Sequence, residues 1–438
     1  AYEMNIRDWS SAVCSSDLTR RALLGLATAG VVGLAGCSGL QSLASTGGRG
    51  RDGTDGPAVS ELAWPNGRHD AAGTGHVSDE RLPEDPTVAW RYDHGGATFY
   101  PPVAADGVVY VASRGSLAVD GEADSGVHAV DTADGSRLWH YHEPLDSDPD
   151  SDDVDQLDAN SLATNGETVF VQAGVALHAL DAATGERQWL YRTNSSFRGM
   201  TVTDGLVIFA SRKTSRGGDG GESVIALDVG DGSERWQTVV GGNTGPMATP
   251  VVADDTVYAV RHESSREAAD EEMVVFALDR ENGEVGWKNT LDQRYEPFSL
   301  PAVADDTLVY GMRDLHAFDT DDGSVKWTDE ETVDAEGHLV PAVADDAVFV
   351  THDGGVSAFE QLGGTRRWHH EEPDTSRFPV VAGGDLLVAA RDGLHAYDVA
   401  SGDERLHALE GEHPFLGSPI VVDETVYLPN GSELLALE

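Results

Sequence analysis

Lysine is nearly missing from this chain of 438 residues, in which only Lys213, Lys288 and Lys326 occur. Acidic residues outnumber basic residues by 76 to 29, so the formal net charge is -47. A surface with this charge repels a phosphate backbone, which argues against nucleic acid as a partner. The same balance is typical of proteins that stay soluble in multimolar salt, and it predicts a halophilic protein of archaeal type.

Cysteine is also scarce, with Cys14 and Cys37 as the only two, and no apolar run is long enough to span a bilayer. The longest run near the N-terminus has 15 residues, 22–36, where a spanning helix needs roughly 20. Arg20 and Arg21 precede this run and the letters LAGC end at Cys37. Residues 19–37 therefore predict a twin-arginine export signal.

Cys37 has the position of the lipidated cysteine in a lipobox, so we expect a chain anchored by lipid to the outer face of the cytoplasmic membrane. The alternative is an apolar N-terminal helix with an incidental cysteine. Residues 1–18 suit neither interpretation and are taken as a mis-called start or an artefact. Cleavage at Cys37 would leave a single cysteine, which excludes an intramolecular disulfide.

Residues 38–85 are rich in Gly, Ser, Thr, Asp and Arg and predict a flexible linker. Within this stretch, Trp64 is a large apolar side chain that is costly to leave in water. Its presence favours docking of residues 63–76 against the following domain.

One hairpin recurs along the rest of the chain, for example HALDAATGERQW at 178–189 and HAFDTDDGSVKW at 316–327. The tryptophans that close it are separated by 50, 47, 51, 40 and 41 residues, a period in the range of propeller blades. They are Trp139, Trp189, Trp236, Trp287, Trp327 and Trp368. Each unit also contains an apolar run broken by Asp-Asp, Asp-Gly or Asn-Gly, which predicts a tight β-hairpin.

Each unit is thus predicted to be a sheet of four antiparallel strands, A to D, that must stack on its neighbours to bury both faces. Eight A strands are expected to begin near Pro102, Leu162, Met200, Thr249, Leu300, Val340, Phe378 and Ser418. The last unit lacks a strand D, whereas residues 85–94, with Trp90, form a strand without A, B or C. The sequence predicts an all-β, eight-bladed propeller over residues 86–438, closed by this N-terminal strand.

The repeated A-x-D-x-x-x-G-x-x-x-W pattern resembles the PQQ-like repeat propellers, a group with quinoprotein dehydrogenases and BamB-type lipoproteins. The resemblance implies that the repeat tryptophans pack between adjacent blades. Glu360 and Leu406 replace the consensus Asp and Trp, so blades six and seven are expected to be the looser pair.

The sequence offers little support for catalysis. A quinoprotein dehydrogenase would, by this resemblance, need adjacent cysteines, a calcium site and an Asp base, and the propeller region has no cysteine. The acidic run 146–158 lacks the Gly and Glu of a calcium loop. WHYH at 139–142 and WHH at 368–370 each supply only two histidines. We therefore predict a monomeric, non-catalytic binding or scaffold module without cofactor or metal; the alternative is a PQQ-dependent or sugar-binding enzyme.

The long connections are all expected on one face, formed by the B-to-C and D-to-A loops, where a protein partner at the membrane surface would bind. Arginines follow strand B in five units: Arg114, Arg212, Arg261, Arg313 and Arg391. They either receive a carboxylate or phosphate of the partner or pair with nearby carboxylates. Aromatic residues of the D-to-A segments line the binding face or pack in the core: Phe99, Tyr100, Phe197, Phe298, Phe378 and Phe415.

Two N-x-S sequons, at Asn194 and Asn430, are candidate glycosylation sites.

Overall fold

The computed structural model describes residues 64–438 except 96–97, 115–124, 143–160, 194–196, 213–220, 243–246, 264–271, 293–298, 312–313, 331–338, 353–354, 372–377 and 410–416. The predicted signal, Arg20, Arg21 and Cys37 lie outside these residues. Within the described part of the chain there are only strands and turns, and no helix is long and apolar enough to cross a membrane.

The strands form eight antiparallel sheets of the predicted A-to-D order, which we number as blades in chain order. Strands A to D of blade 1 are Val103–Ala105, Val108–Arg114, Gly126–Asp131 and Arg137–Tyr141, and those of blade 2 are Leu162–Thr164, Thr168–Ala173, Ala176–Asp181 and Arg187–Arg192. Strands A to D of blade 3 are Phe197–Thr203, Leu206–Arg212, Gly221–Asp228 and Glu234–Gly242. Those of blade 4 are Val251–Ala253, Thr256–Glu263, Glu272–Asp279 and Val285–Asp292.

Strands A to D of blade 5 are Ala302–Ala304, Thr307–Gly311, Leu315–Asp319 and Val325–Asp329. Those of blade 6 are Pro341–Ala344, Ala347–His352, Gly355–Glu360 and Arg366–His370. Those of blade 7 are Val380–Ala382, Asp385–Ala390, Gly393–Asp398 and Glu404–Ala408. Two short strands are added at sheet edges. Thr98–Phe99 pairs with strand B of blade 1, and His76–Val77 pairs in parallel with strand A of blade 7.

Blade 8 confirms the predicted ring closure. Its strands A to C are Ile420–Val422, Thr425–Asn430 and Glu433–Leu437, and its strand D is the N-terminal Val88–Asp93. The first and last strands of the propeller pair antiparallel, with Asp93 opposite Glu433. This pairing covers the sheet edge that Glu433–Leu437 would otherwise expose.

The tight hairpins between strands A and B form where the Asp-containing pairs predict them. Asp106, Asp254, Asp305 and Asp345 adopt the left-handed conformation, with φ between 50° and 53°. Asparagine, aspartate and glycine tolerate this conformation best, which explains why aspartate recurs at the turn.

The repeat tryptophans lie at the seams between blades. Each indole Nε1 donates a hydrogen bond to a carbonyl of the next blade's C-to-D turn, as from Trp287 to Thr320 at 2.8 Å. The other donor and acceptor pairs are Trp90–Thr132, Trp139–Ala182, Trp189–Val229, Trp236–Arg280, Trp327–Gln361 and Trp368–Val399. Trp90, from the N-terminal strand, makes the same contact, so the closing blade uses the same seam.

Asn430 is 6% exposed at the end of strand B in blade 8. A glycan attached to this buried side chain would be incompatible with the folded blade. Asn194 lies outside the described residues.

Candidate binding site on the propeller axis

The eight A strands form the inner edge of the ring. Their backbone N–H and C=O groups that face the axis need hydrogen-bond partners. Residues 64–80, which the sequence analysis places in a flexible linker, supply them by running around the axis from blade 1 to blade 8. We call this stretch the axial segment. The described part of the predicted linker is therefore corrected to a component of the propeller, because unpaired N–H groups at an inner strand edge are costly to bury.

At least one backbone N–H of each blade donates to the axial segment, in chain order. The first is Ala104 N, 2.8 Å from the Trp64 carbonyl, and the last are Asp423 N and Glu424 N, which bind the Glu80 carboxylate at 2.9 and 2.7 Å. The intermediate donor and acceptor pairs are Thr164–Pro65, Val202–Asn66, Val252–Ala71, Val303–Ala72, Val343–Thr74 and Val381–Gly75.

Trp64 anchors the start of the axial segment. Its side chain is 1% exposed and packs in a core cluster with Phe99, Ala104 and Val380. The ring of His69 contacts it edge-on, with centroids 5.1 Å apart. The prediction that Trp64 docks against the domain agrees with this position.

Arg68 places a buried positive charge near the axis. Its Nη1 donates to the carbonyl of Pro379 at 3.0 Å and its Nη2 donates to that of Pro341 at 2.8 Å, so the guanidinium joins blades 6 and 7. Burial lowers the pKa of Arg68 to about 10, partly opposed by the charge of Asp70, and the group stays cationic at neutral pH. Position 75 favours glycine, because a Cβ there would lie 2.3 Å from Nη2 of Arg68.

Asp70 is held in place by the axial segment itself. Its carboxylate accepts hydrogen bonds from the backbone N–H and the hydroxyl of Thr74. Burial opposes ionisation, but the nearby His69 ring, 3.8 Å away, and the hydrogen bonds from Thr74 prevail and lower the pKa of Asp70. The carboxylate is thus ionised and already engaged by these donors.

A cavity of about 360 Å³, which we call the axial cavity, lies on the side of the axial segment that faces the D-to-A connections. Its floor contains Asn66, Arg68 and Asp70, and its wall is formed where the A strands begin. The wall residues include Pro101, Ser161, Leu162, Met200, Thr201, Thr249, Val251, Leu300 and Phe378. This volume is within the range of about 300–1,000 Å³ that is usual for ligand pockets.

The opposite side of the axial segment has a different character. There a cavity of about 530 Å³ is lined by Asp70, Asp79, Asp305, Asp345, His69 and His76. The axial segment thus separates an acidic compartment on the A-to-B turn side from a mainly apolar one, with the Arg68 cation, on the side of the long loops.

The family assignment rests on matches along the whole propeller. A family model described as outer membrane protein assembly factor BamB matches residues 82–157, 151–273, 270–378 and 356–438. The chain belongs to this family. No curated protein matches the chain significantly.

Solved structures share the fold of this BamB-family chain. BamB from Moraxella catarrhalis is 22% identical, with a TM-score of 0.56, and the match covers 81% of this chain and 97% of that one. A quinohemoprotein alcohol dehydrogenase from Comamonas testosteroni is 16% identical, with a TM-score of 0.63 and coverages of 87% and 83%. A europium-containing methanol dehydrogenase is 15% identical, with a TM-score of 0.66 and coverages of 84% and 90%.

Of the five arginines predicted to follow strand B, Arg114, Arg212 and Arg391 occupy equivalent positions in this BamB-family propeller, and Arg261 lies one residue earlier along its strand. Arg114 ends strand B of blade 1 and Arg391 follows strand B of blade 7, and both side chains are exposed. Arg261 lies inside the longer strand B of blade 4, where it is 7% exposed and 3.6 Å from the fully buried carboxylate of Glu222. Arg313 and the side chain of Arg212 lie outside the described part of the structure.

The described aromatic residues of the D-to-A segments also separate into two groups. Phe99 and Phe197 are buried in interblade clusters, and Tyr100 packs at the edge of another. Phe378 lines the axial cavity, with the Arg68 guanidinium 5.9 Å from its ring centroid. Phe298 and Phe415 lie outside the described residues.

Sequence reasoning missed Arg68 and Asn66 as parts of the site. The stretch AWPNGRHDAAGTGH has no periodicity from which to assign an element, and its hydrogen bonds are made to blades up to 311 residues away. Its one usable signal is Trp64, an apolar residue in a polar stretch.

Proposed function

We propose that this BamB-family propeller is a non-catalytic binding module that receives a protein partner on its B-to-C and D-to-A face. The observation that carries the proposal is the position of the axial cavity. Residues 64–80 divide the space at the axis. The mainly apolar cavity with the Arg68 cation lies on the side of the long connections, whereas the cavity on the A-to-B turn side is acidic. Binding on propellers and other rigid scaffolds concentrates where such connections gather.

The cavity is suited to a side chain or chain end that combines an apolar body with a carboxylate. Apolar contacts come from Leu162, Met200 and Phe378, and Arg68 adds a cation in a protein whose net charge is -47. Arginine binds carboxylates by geometrically defined hydrogen bonds. Arg114 and Arg391 are exposed on the same face and would provide further contacts for an acidic partner.

The described cavity does not fit a quinone dehydrogenase site. Among its lining residues the single carboxylate is Asp70, which already accepts two hydrogen bonds from Thr74 and lies next to the Arg68 cation. Calcium prefers several oxygen ligands, and a neighbouring cation opposes its binding. The two cysteines of the chain, Cys14 and Cys37, are not adjacent.

We further propose that the module acts at the outer face of the cytoplasmic membrane of a halophile. Support comes from the N-terminal Arg20–Arg21 pair, the Cys37 lipobox and the shortage of lysine. In the native host, Cys37→Ser should move the chain from the membrane fraction to the soluble fraction, whereas retention in the membrane would contradict lipid anchoring.

Photo-crosslinking from each face tests the binding proposal. A crosslinker attached to Cys introduced by Glu371→Cys lies after strand D of blade 6, on the proposed face, and one at Ala133→Cys lies in a C-to-D turn on the opposite face. Both positions are exposed. In native membranes, the first variant should give one saturable protein adduct that excess unlabelled propeller suppresses, and the second should not.

Equal adduct formation from both faces, or none from Glu371→Cys, would contradict the proposed surface. Catalysis is tested separately by adding PQQ and Ca²⁺ to the purified chain. We expect no alcohol-dependent dye reduction, and sustained turnover would overturn the non-catalytic assignment.

A further inference from the structure

Three histidines converge at the seam where blade 8 meets blade 1. His94 follows strand D of blade 8, and His128 and His140 occupy strands C and D of blade 1. One ring nitrogen from each lies within 4.8 Å of one from each of the others. The site therefore depends on ring closure, because His94 comes from the N-terminal strand.

The three rings are closely packed. The centroids of His128 and His140 are 4.4 Å apart in a stacked arrangement, and His94 meets His128 edge-on at 4.1 Å. His128 is fully buried, whereas His94 and His140 are partly exposed. Three protonated imidazoles could not be held this close without strong repulsion. The arrangement therefore favours neutral rings, the form that binds a metal ion.

Hydroxyl groups orient the buried ring. The Nδ1 of His128 is 2.9 Å from the Tyr92 hydroxyl and its Nε2 is 2.8 Å from the Ser113 hydroxyl. Both hydroxyls can donate or accept, so they can follow a change of tautomer. In known metal sites, polar groups that hydrogen-bond to the ring nitrogen not bound to the metal fix the orientation of the imidazole ligands.

We propose that His94, His128 and His140 bind a divalent first-row transition-metal ion, with Zn²⁺ as the natural probe. Three imidazoles, two on paired strands and one directly after a strand, match the ligand set of zinc sites that keep a fourth position for water or another ligand. Binding requires one ring nitrogen of His128 to exchange its hydroxyl partner for the ion. The expectation of no metal site considers only the two histidines of WHYH. It omits His94, which is distant from that motif in the sequence, and His128, which lies on the neighbouring strand C.

Blade 7 provides a matched control at the same strand positions. His395 and His407 stack there with centroids 4.2 Å apart, as His128 and His140 do in blade 1. The two nitrogens of His395, however, face carboxylate oxygens of Glu404 and Asp392 at 2.9 and 3.1 Å. Asp392, His395 and His407 also bring ligand atoms within 4.8 Å of one another, but both nitrogens of His395 are engaged by carboxylates. Because this group is separate from the histidines of blade 1, His407→Gln should leave metal binding in blade 1 intact.

The test is a titration of the purified, chelator-treated full chain with Zn²⁺ by calorimetry, and with Co²⁺ followed by its visible absorption. The wild-type chain should bind one ion at the histidine cluster and melt at a higher temperature when zinc is added. The partly exposed ligands are changed one at a time, as His94→Gln and His140→Gln, to keep the core intact. Each should weaken binding by at least about 100-fold, since even loss of an outer-shell partner costs about 10–100-fold.

His407→Gln should retain the wild-type affinity and the cobalt spectrum. The proposal is overturned if the wild-type chain shows no saturable binding of either ion. It is also overturned if His94→Gln and His140→Gln bind as the wild type does, or if only His407→Gln loses the ion.

Discussion

At the scale of single residues, the seams are built from a tryptophan and a glycine on facing blades. The glycine that ends each C-to-D turn has φ between 68° and 74° at Gly135, Gly185, Gly232, Gly283, Gly323, Gly364 and Gly402. A Cβ at any of these positions would lie 2.4–2.7 Å from the tryptophan of the preceding blade or an atom beside it. Backbone conformation and close packing therefore both require glycine.

These two requirements can be separated by mutation. Gly205→Ala, in an A-to-B turn with φ of 82° and no atom within 4 Å of the added Cβ, should cost about 1–2 kcal/mol for the left-handed conformation alone. Gly323→Ala adds a contact at 2.4 Å with Trp287 and should cost about 1–3 kcal/mol more. Chemical denaturation at constant salt measures both values, and equal costs would show that the seam accommodates a methyl group.

At the scale of elements, the axial segment has no regular secondary structure of its own beyond a two-residue strand, His76–Val77. Its conformation is set by the eight blades, each of which donates at least one N–H to it from strand A or the A-to-B turn. Because the axial segment takes its conformation from its hydrogen bonds to the blades, it is ordered only when the blades are assembled. We infer that it joins the blades at the axis as the tryptophans join them at the seams.

Removal of the Trp64 side chain tests this inference. Trp64→Ala should lower the free energy of unfolding by about 3–5 kcal/mol, because the indole is buried among residues of the blade 7, 8 and 1 cluster. Leu362→Ala, at a position 73% exposed, is the control and should change it by less than about 0.5 kcal/mol. Hydrogen exchange should also accelerate at Ala104 and Thr164, and unchanged protection there would show that the axial segment contributes nothing to the inner strands.

The difference between blade and axial segment explains what could be predicted. The blades follow from local signals: period-2 apolar runs, aspartate turns and the spacing from Trp139 to Trp368 predict both strand order and blade number. The positions of Arg68 and His94 follow from contacts with residues far along the chain. Arg68 binds Pro341 and Pro379, and His94 approaches His128 only after the ring closes. No periodicity in the sequence encodes such encounters.

At the scale of the whole molecule, two stretches that precede blade 1 complete the ring by different means. Residues 88–93 supply the missing strand of blade 8, and residues 64–80 bind the inner strands of all eight blades. The contacts between Asp93 and Glu433 join positions separated by 340 residues (433 minus 93). Closing so long a loop is unfavourable for the unfolded chain, so closure depends on the pairing energy of the last strand.

A disulfide across the closing strands tests whether this pairing limits the stability of the ring. Asp93 and Glu433 are directly opposite, and Asp93→Cys with Glu433→Cys, in a chain whose Cys14 and Cys37 are changed to Ser, should form one intramolecular bond. The oxidised form should gain about 2–4 kcal/mol or more over the same variant when reduced, since the bond closes a long loop in the unfolded state. The reduced form is the control, because both forms lack the exposed Arg91–Glu433 ion pair. Chemical denaturation of the two forms measures the gain. Dimers linked by the new cysteines, or an oxidised form no more stable than the reduced one, would show that the ring is not closed by this strand pair in solution.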